Sequence, residues 1–338
     1  MRRPIRGSLL ASVFLCSAVA HADSSAPADT AGGWVKYAKN PILGGQYGTC
    51  FDISVLHVTD GYPGMAWNSG DIFRMWVSWR PKKSIALVEN LGTGTDFSQE
   101  GPCVVLAPAP TGWEDEVNRP VVILHDGLYQ MWYTGQTASH SAIGYATSTD
   151  GITWKRMSAQ PVLAPTLPWE KVAVMCPDVM WDKDAKLYRM WYSGGEQYEP
   201  NAIGYATSPD GLHWTKYASN PVFAGDPKIP WEQQRATACH VVKTGGWFYI
   251  FYIGFRDVDH AQIGVARSRD GISNWQRLPD NPIVRSGTGK WDNDACYKPY
   301  AILENDRWML WYNGRSEHLE QIGVVTHAGA DLGFPPAP

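Results

Sequence analysis

The chain contains 338 residues, of which 44% are hydrophobic and 18% are charged, and its formal net charge is -4 at pH 7. This length holds one large all-β domain or two ordinary domains with a sizeable core. A slightly acidic chain without a cluster of basic residues lacks the positive patch that a nucleic-acid partner requires, which excludes that class of function.

The first 22 residues have the pattern of a signal peptide. Three arginines within the first six residues precede an apolar run over 9–20, and Ala20-His21-Ala22 forms a small-x-small cleavage site. The run is too short to span a bilayer, and no later segment reaches about 18 apolar residues. We therefore expect an exported protein, secreted or periplasmic, with no membrane span and with a flexible segment over 23–32.

Cysteine usage does not indicate a disulfide scaffold. Cys16 lies in the predicted signal peptide, and the five that remain are Cys50, Cys103, Cys176, Cys239 and Cys296. An odd number cannot pair completely within one chain, and no paired CxxC of a zinc site is present. We expect these side chains to fill small spaces, and we expect no cofactor. A structural calcium stays open, because spacing alone does not identify one.

An internal repeat of about 60 residues is the strongest signal in the chain. A strand-like block of aromatic and β-branched residues recurs around Trp76, Trp132, Trp191, Phe251 and Trp311. An Ile-Gly pair follows the last four copies, and three of these continue into a Ser-x-Asp-Gly turn at 148–151, 208–211 and 268–271.

Each copy predicts four short strands. In the third copy we expect strands over 174–181, 187–193, 202–208 and 213–216, because β-branched and aromatic runs alternate there with Asp-Gly turns. Four-stranded units repeated radially describe a β-propeller. The sequence therefore predicts an all-β fold, a five-bladed β-propeller with four-stranded blades.

The two ends of the chain predict how the ring closes. The fifth copy stops after its third strand, and the missing piece stands at the start, where 34–43 matches 214–223 almost position for position. We expect this N-terminal strand to join the last blade and cover two sheet edges. The domain then spans 33–334 and leaves a tail at 335–338, and we expect a monomer or small homo-oligomer.

Repeated acidic residues are predicted to be structural. Asp150, Asp210 and Asp270 precede Gly in tight turns, where Asp bonds its own backbone. A Trp followed by an acid recurs four times, at 113–114, 169–170, 231–232 and 291–292, and such recurrence is typical of a scaffold.

Positions that differ between blades are better candidates for a site. Aligning the copies on their Cys residues places Asp52, Asp178 and Lys298 at one depth near the axis. Desolvation and mutual repulsion would separate the pKa values of two such carboxyl groups into an acid and a base. The alternative is a buried ion pair, or an axis that is plugged by water.

Further polar side chains are predicted on the same rim of the propeller. They come from entries to the innermost strands and from the loops between second and third strands: Glu116, Arg119, Arg235, His240, Asp294, Glu196, Tyr198 and Arg315. Each alone could be a solvated loop charge, and His240 could equally fill the core. Together they predict a site for a polyhydroxyl ligand, with Trp79 and Tyr198 as stacking walls.

This pattern resembles the five-bladed propeller glycosidases, namely glycoside hydrolase families 43, 32 and 68, and more distantly the mannoside phosphorylase family 130. The resemblance rests on the Met-Trp-Tyr, Ile-Gly-x-Ala-x-Ser and Asp-Gly-x-x-Trp blocks. It implies a carboxyl group in each of the first three blades, serving as base or nucleophile, as helper and as proton donor.

The resemblance transfers unevenly to these carboxyl groups. Asp52 matches the first-blade Asp, whereas Arg119-Pro120 replaces the Asp-Pro of blade two and Met175-Cys176-Pro177 replaces the Glu-Gly-Pro of blade three. The substitutes that the chain offers are Glu116 in blade two and Asp178 or Glu196 in blade three. Arg119, Arg235, His240 and Lys298 would then bind hydroxyl or acidic sugar groups.

The sequence therefore predicts a secreted glycoside hydrolase that cleaves an oligo- or polysaccharide with carboxylates at the propeller axis. Two alternatives stay open. One is a non-catalytic carbohydrate-binding propeller, which the altered blade-two and blade-three motifs favour. The other is a glycoside phosphorylase, in which Lys298, Arg235 and Arg315 would hold phosphate.

Overall fold

The computed structural model describes residues 29–59, 71–97, 101–198, 200–287 and 290–336. The predicted signal peptide, residues 23–28 of the predicted flexible segment and the last two residues of the tail lie outside them. Within these ranges the chain forms 21 strands and three short 3-10 helices, Gly45–Tyr47, Arg80–Lys82 and Pro168–Glu170. No helix in the described ranges is long and apolar enough to cross a membrane. The prediction of an all-β fold is confirmed.

The strands form five consecutive antiparallel units after β1 (Val35–Lys36). Unit one contains β2 (Cys50–Val58), β3 (Ile72–Trp79), β4 (Ser84–Leu91) and β5 (Cys103–Leu106). Unit two contains β6 (Glu116–His125), β7 (Leu128–Gln136), β8 (Ser141–Ser148) and β9 (Lys155–Arg156). Unit three contains β10 (Ala173–Asp182), β11 (Leu187–Gly195), β12 (Pro200–Ser208), β13 (Thr215–Lys216) and β14 (Phe223–Ala224).

The last two units follow the same pattern. Unit four contains β15 (Arg235–Thr244), β16 (Trp247–Asp257), β17 (His260–Ser268) and β18 (Gln276–Arg277). Unit five contains β19 (Ala295–Glu304), β20 (Arg307–Ser316) and β21 (Leu319–Ala328). Its fourth strand is β1, since Val35 pairs with Thr326 and Lys36 with Val325. The N-terminal strand therefore joins the last unit, as the match between 34–43 and 214–223 predicts.

The first strands of the units contact one another in cyclic order. Strand β2 contacts β6, β6 contacts β10, β10 contacts β15, β15 contacts β19, and β19 contacts β2. The hydrophobic core lies between neighbouring units: Trp76 of unit one packs with Val122 of unit two. Trp311 of unit five packs with Ile53 of unit one in the same way. The first and last units are thus neighbours in space.

A repeated hydrogen bond links one unit to the next. In four of the five second strands, a fully buried tryptophan donates its indole N–H to a glycine carbonyl of the following unit. The pairs are Trp76 with Gly151 (3.0 Å), Trp132 with Gly211 (2.8 Å), Trp191 with Gly271 (2.8 Å) and Trp311 with Gly94 (2.8 Å). Phe251 takes this place in unit four and has no N–H to give. The repeated tryptophan therefore holds neighbouring units together.

The acids that recur after Trp are structural, as predicted. Glu114, Glu170, Glu232 and Asp292 are at most 1% exposed. Each accepts a hydrogen bond from a tyrosine hydroxyl of the second strand, from Tyr133, Tyr192, Tyr252 and Tyr312 respectively. Each also pairs with a cation of the fourth strand, namely Arg156, Lys216, Arg277 and Lys36. Each of these carboxylates is therefore bonded within the scaffold.

The Ser-x-Asp-Gly turns are also scaffold. Asp150 Oδ1 accepts hydrogen bonds from the backbone N–H of Ile152 (2.8 Å) and Thr153 (2.7 Å), and Ser148 Oγ donates to it at 2.8 Å. Asp210 and Asp270 make the equivalent contacts. The prediction that turn chemistry occupies these acids is confirmed.

Candidate active site

Every first strand carries a β-bulge at one equivalent position. The pairing with the second strand shifts there in all five units, and a non-glycine residue at the shift has a positive φ. These residues are Asp52 (40°), Arg119 (53°), Cys176 (51°), Ala238 (40°) and Lys298 (32°). Left-handed backbone is uncommon outside glycine, and strained residues of this kind cluster at functional sites.

This register corrects the predicted alignment of the acids. Lys298 does stand at the position equivalent to Asp52, but the third unit places Cys176 there. Asp178 lies two residues beyond the bulge, where it is paired with Trp191. The alignment on Cys failed because Cys176 lies at the bulge, whereas Cys50 lies two residues before it.

Side chains of the preceding unit hold the bulges in place. In four units the backbone N–H of the bulge residue donates to a side-chain oxygen of the preceding unit. The pairs are Asp52 with Asn313 Oδ1 (3.3 Å), Arg119 with Ser78 Oγ (2.7 Å), Cys176 with Thr134 Oγ1 (3.1 Å) and Ala238 with Ser193 Oγ (2.8 Å). The acceptors come from second strands at matched positions. The repeat therefore fixes the backbone at the bulge and leaves its side chain free to differ between units.

A solvent-open cavity of about 200 Å³ lies over the bulges of units one to four. Its charged wall contains Asp52, Glu116, Glu320, Arg80, Arg119 and Arg315. Its other walls are polar amides and aromatic rings, Asn118, Gln136, Asn313, Phe51, Tyr198, Phe255 and Tyr297 among them. Polar groups between aromatic faces are what a sugar-binding cavity requires.

Five of the predicted site residues line this cavity: Asp52, Glu116, Arg119, Arg315 and Tyr198. The other seven do not. Trp79 lines a small neighbouring cleft and donates its indole N–H to Tyr47 O at 2.8 Å. Asp294 lies in a separate outer cleft, where it accepts a hydrogen bond from the backbone N–H of Glu317 at 2.7 Å.

The pair of Asp52 and Arg119 forms the centre of the charged wall. Arg119 Nε lies 3.0 Å from Asp52 Oδ2, and these side chains are only 13% and 9% exposed. Arg119 Nη1 donates to Asn118 Oδ1 at 2.8 Å and to Gln136 Oε1 at 3.0 Å. The Arg119 guanidinium is thus fixed by three acceptors and orients the Asp52 carboxylate towards the cavity.

Acidic surroundings keep Arg119 charged. Burial opposes the charge on this guanidinium, but the neighbouring Cys176, Asp52 and Glu320 outweigh burial and raise the pKa of Arg119 above its usual value. Cys176 itself is inert, because burial raises the pKa of its thiol to about 11. The reactive groups of this cavity are therefore carboxyl groups.

Asp178 and His240 do not line the cavity, and they bind each other. His240 Nδ1 lies 2.7 Å from Asp178 Oδ1, and the backbone N–H of Val241 donates to Asp178 Oδ2 at 2.8 Å. The other ring nitrogen of His240 lies 3.1 Å from Ala301 O, and the ring stacks on Tyr300 at 3.9 Å. These contacts describe a buried hydrogen-bonded pair better than a catalytic acid.

Lys298 and Glu196 are also engaged elsewhere. Lys298 is 1% exposed and its Nζ donates to Cys239 O at 2.9 Å. Glu196 is exposed on the rim and pairs with Lys171 at 2.7 Å, and this lysine lowers the pKa of Glu196. A proton donor needs the opposite shift. Arg235 stacks over Phe255 at the edge of the cavity, 5.6 Å from the ring centroid.

Glu320 is a carboxyl group of the cavity that the sequence did not assign as a site residue. It lies in β21, two residues before the Ile-Gly pair, and its side chain is 15% exposed. The matched positions in units two to four hold Ser141, Asn201 and Ala261, so no other Ile-Gly unit has an acid there. A functional site differs between repeats. Applying this rule to third strands as well as to first strands would have identified Glu320.

The described residues hold no group of three or more His, Cys, Asp or Glu side chains arranged to bind a metal ion. The cavity brings together three carboxyl groups and three guanidinium groups instead. Carboxyl groups that share an open cavity can donate a proton to a leaving oxygen and activate water or form a covalent bond. This arrangement suits acid–base chemistry on a polyhydroxyl substrate.

Comparison with known sequences finds a glycosidase family model and a distant bacterial relative. Residues 112–233 match the family model of the glycosyl hydrolases family 32 N-terminal domain. An uncharacterized protein of Mycobacterium tuberculosis (strain ATCC 25618 / H37Rv) is 25% identical over 267 residues, which cover 73% of this chain and 85% of that protein.

Solved structures relate the chain by fold. A thermostable family-43 glycoside hydrolase has a TM-score of 0.64 and 16% identity, over 88% of this chain and 97% of the other. A structure from the family 130 of mannoside phosphorylases, which contains glycoside hydrolases that target β-1,2 mannosidic linkages in Candida mannan, has a TM-score of 0.61 and 15% identity, over 88% and 95%. The resemblance to the propeller glycosidases is confirmed at the level of fold.

Proposed function

We propose that this chain, which shares the propeller fold of these glycosidases, is a glycoside hydrolase that cleaves an oligo- or polysaccharide in the cavity over the bulges. The observation that carries the proposal is the cavity itself, where Asp52, Glu116 and Glu320 face one open space beside aromatic rings. Hydrolysis of a glycosidic bond requires one carboxyl group on each side of that bond.

The architecture that goes with this function is a closed five-bladed propeller. The cyclic contacts of the first strands, the bond from Trp311 to Gly94 and the bond from the Asp52 N–H to Asn313 support it, because each joins unit five to unit one. In such a ring, carboxyl groups from distant parts of the chain meet at one axial cavity.

Asp52 is the proposed base or nucleophile. Its carboxylate projects from a strained bulge and is oriented by Arg119, so it is presented to the cavity without depending on the substrate. Glu116, half-buried and 3.7 Å from Lys83, is the proposed helper carboxylate. Tyr198 and Arg315 on the rim would bind the sugar, the first by stacking and the second by hydrogen bonds.

Export completes the proposal. The charged start, apolar run and small-x-small site of residues 1–22 support a secreted or periplasmic protein, which would meet its polysaccharide outside the cytoplasm. Phosphorolysis has weaker support here, since Lys298 does not line the cavity and is bonded to Cys239 O.

A panel of chromogenic pentosides, fructosides and mannosides, assayed with and without inorganic phosphate, tests the proposal. We expect phosphate-independent release of the chromophore from at least one glycoside, and Asp52→Asn to reduce kcat by at least about 10³-fold. Asp126→Asn, at an 89% exposed side chain, is the matched control and should change kcat less than about twofold.

Three results would contradict the proposal. Undiminished turnover by Asp52→Asn would remove the assigned base. Release that depends on phosphate would indicate a phosphorylase. Sugar binding without cleavage of any glycoside in the panel would indicate a carbohydrate-binding propeller.

A further inference from the structure

The two side chains that the sequence predicts as proton donor are unavailable for that role. Asp178 lies outside the cavity wall and binds His240. Glu196 is exposed and paired with Lys171. A hydrolase built on Asp52 still requires an acid that reaches the leaving oxygen.

We propose that Glu320, contributed by the last unit, is the general acid of this cavity. This inference rests on the proposed hydrolysis and names the residue that would protonate the leaving group. It moves the donor from the third unit, where the resemblance implies it, to the fifth.

The position of Glu320 suits the role. Strands β20 and β21 form a hairpin in which the backbone of Arg315 lies opposite that of Glu320. Both side chains line the cavity together with Asp52. The backbone N–H of Glu320 lies 3.5 Å from Thr49 Oγ1, next to the start of β2. Unit five is thereby joined to unit one at the point where the Asp52 bulge begins.

The surroundings of Glu320 favour its protonated form. Burial, above all, raises the pKa of this carboxyl group above its usual value, and the charge of Asp52 adds to the rise. Arg80 and Arg119 oppose the shift without reversing it. Arg80 contacts Glu320 through one pair of atoms, with Nη2 3.3 Å from Oε2. The side chain of Arg80 is 54% exposed, so solvent screens its charge.

Asp52 and Glu320 therefore differ in the way that hydrolysis requires. The buried guanidinium of Arg119 lies 3.0 Å from Asp52, whereas the cation in contact with Glu320 is the exposed Arg80, at 3.3 Å. Glycosidases separate their acid from their base by giving two carboxyl groups such different surroundings.

The step balances in atoms and electrons. Glu320 gives its proton to the glycosidic oxygen, the bond from that oxygen to the anomeric carbon breaks, and its electron pair leaves with the oxygen as an alcohol. In a single displacement, water attacks the anomeric carbon and its proton goes to Asp52. In a double displacement, Asp52 first forms an ester with that carbon, and the water that cleaves the ester returns its proton to Glu320. Either course consumes one water.

The test compares leaving groups in Glu320→Gln. The substrates are the 2,4-dinitrophenyl glycoside and the methyl glycoside of a sugar that the wild type hydrolyses. Because dinitrophenolate leaves without a proton, we expect kcat/KM to fall less than about tenfold on that substrate. On the methyl glycoside we expect a fall of about 10²–10⁴-fold, the usual share of general acid catalysis.

A second measurement does not depend on that variant. Arg80→Met removes the cation that opposes protonation, so the alkaline limb of the pH profile of kcat/KM should move to higher pH. The same limb should disappear in Glu320→Gln when the dinitrophenyl glycoside is the substrate. If Glu320 had only a structural role, the alkaline limb would neither move in Arg80→Met nor disappear in Glu320→Gln.

Failure of this inference is distinct from failure of the proposed function. An equal loss on both substrates, or none on either, in Glu320→Gln while Asp52→Asn is inactive would overturn the assignment of Glu320 and leave hydrolysis standing. An alkaline limb that does not move in Arg80→Met would also overturn it. A wild type that hydrolyses no glycoside overturns both.

Discussion

Lys36 provides the sharpest test of how the chain closes. Its Nζ lies 2.6 Å from Asp292 Oδ2, and Asp292 is fully buried while Lys36 is 12% exposed. Among the described residues, the remaining donor to this carboxylate after removal of the lysine would be the hydroxyl of Tyr312, at 2.7 Å. Lys36→Met therefore leaves a buried charge with one neutral partner.

The expected loss follows from that geometry. Removing one member of a buried ion pair costs about 3–5 kcal/mol, because the remaining charge is neither solvated nor neutralised. For a domain of this size we expect the melting temperature to fall by about 6–10 °C, at roughly 2 °C for each kcal/mol. Urea unfolding followed by tryptophan fluorescence measures the change in the free energy of unfolding directly.

Three further variants identify the cause. Lys216→Met breaks the equivalent pair with Glu170 inside unit three, also at 2.6 Å. Glu170 still accepts hydrogen bonds from the Tyr192 hydroxyl and from the backbone N–H of Thr166 and Leu167, so we expect a smaller loss of about 1–3 kcal/mol. Lys39→Met alters an exposed lysine and should stay within about 0.5 kcal/mol. Asp292→Asn combined with Lys36→Met removes the stranded charge and should recover part of the loss. A loss below about 1 kcal/mol for Lys36→Met, beside a larger loss for Lys216→Met, would refute the N-terminal strand as a structural part of unit five.

Two other predictions concern the scaffold. Trp191→Phe removes the indole N–H that binds Gly271 O at 2.8 Å and leaves a buried carbonyl unpaired, so the free energy of unfolding should fall by about 1–3 kcal/mol in urea titration. The backbone N–H of Ala185 and the cations of Arg189 and Lys243 overcome burial and lower the pKa of Asp182 from 3.8 to about 2. Because the folded pKa is the lower one, this stabilisation is complete above about pH 4 and is lost as the pH falls towards 2. Asp182→Asn should therefore flatten the unfolding free energy between these pH values, and an unchanged slope would contradict the assignment.

The repeated strands could be predicted closely because their signals are local. In the third unit the expected strands 174–181 and 187–193 are found as Ala173–Asp182 and Leu187–Gly195. The alternation of apolar residues and the Asp-Gly turns decide these boundaries within one or two residues. The role of the N-terminal strand followed from the same local pattern, since 34–43 repeats 214–223.

The site could be predicted only in part, because it depends on the register between strands. Cys50, Cys176 and Cys239 lie before, at and after the bulge of their respective strands, so aligning them placed Asp178 where Cys176 lies. A bulge adds one unpaired residue and turns every later side chain to the other face. Asp52 was found because it lies at the bulge itself.

The contrast between scaffold and cavity explains which acids remain for chemistry. The acid after the recurring Trp is bonded to a tyrosine and a cation in each of the four units that contain it, so substituting it disturbs the fold and offers nothing to a substrate. The bulge backbone is held by a side chain of the preceding unit in four cases, which leaves the bulge side chain free to be Asp52, Arg119 or Cys176. Side chains in the cavity therefore differ between units at positions where the repeat already satisfies the backbone. Glu320 occupies another such position, because its strand β21 pairs with β20 in the same way as the third strands of other units pair with their second strands. Acids that the scaffold does not consume are the ones that a substrate in the cavity can meet.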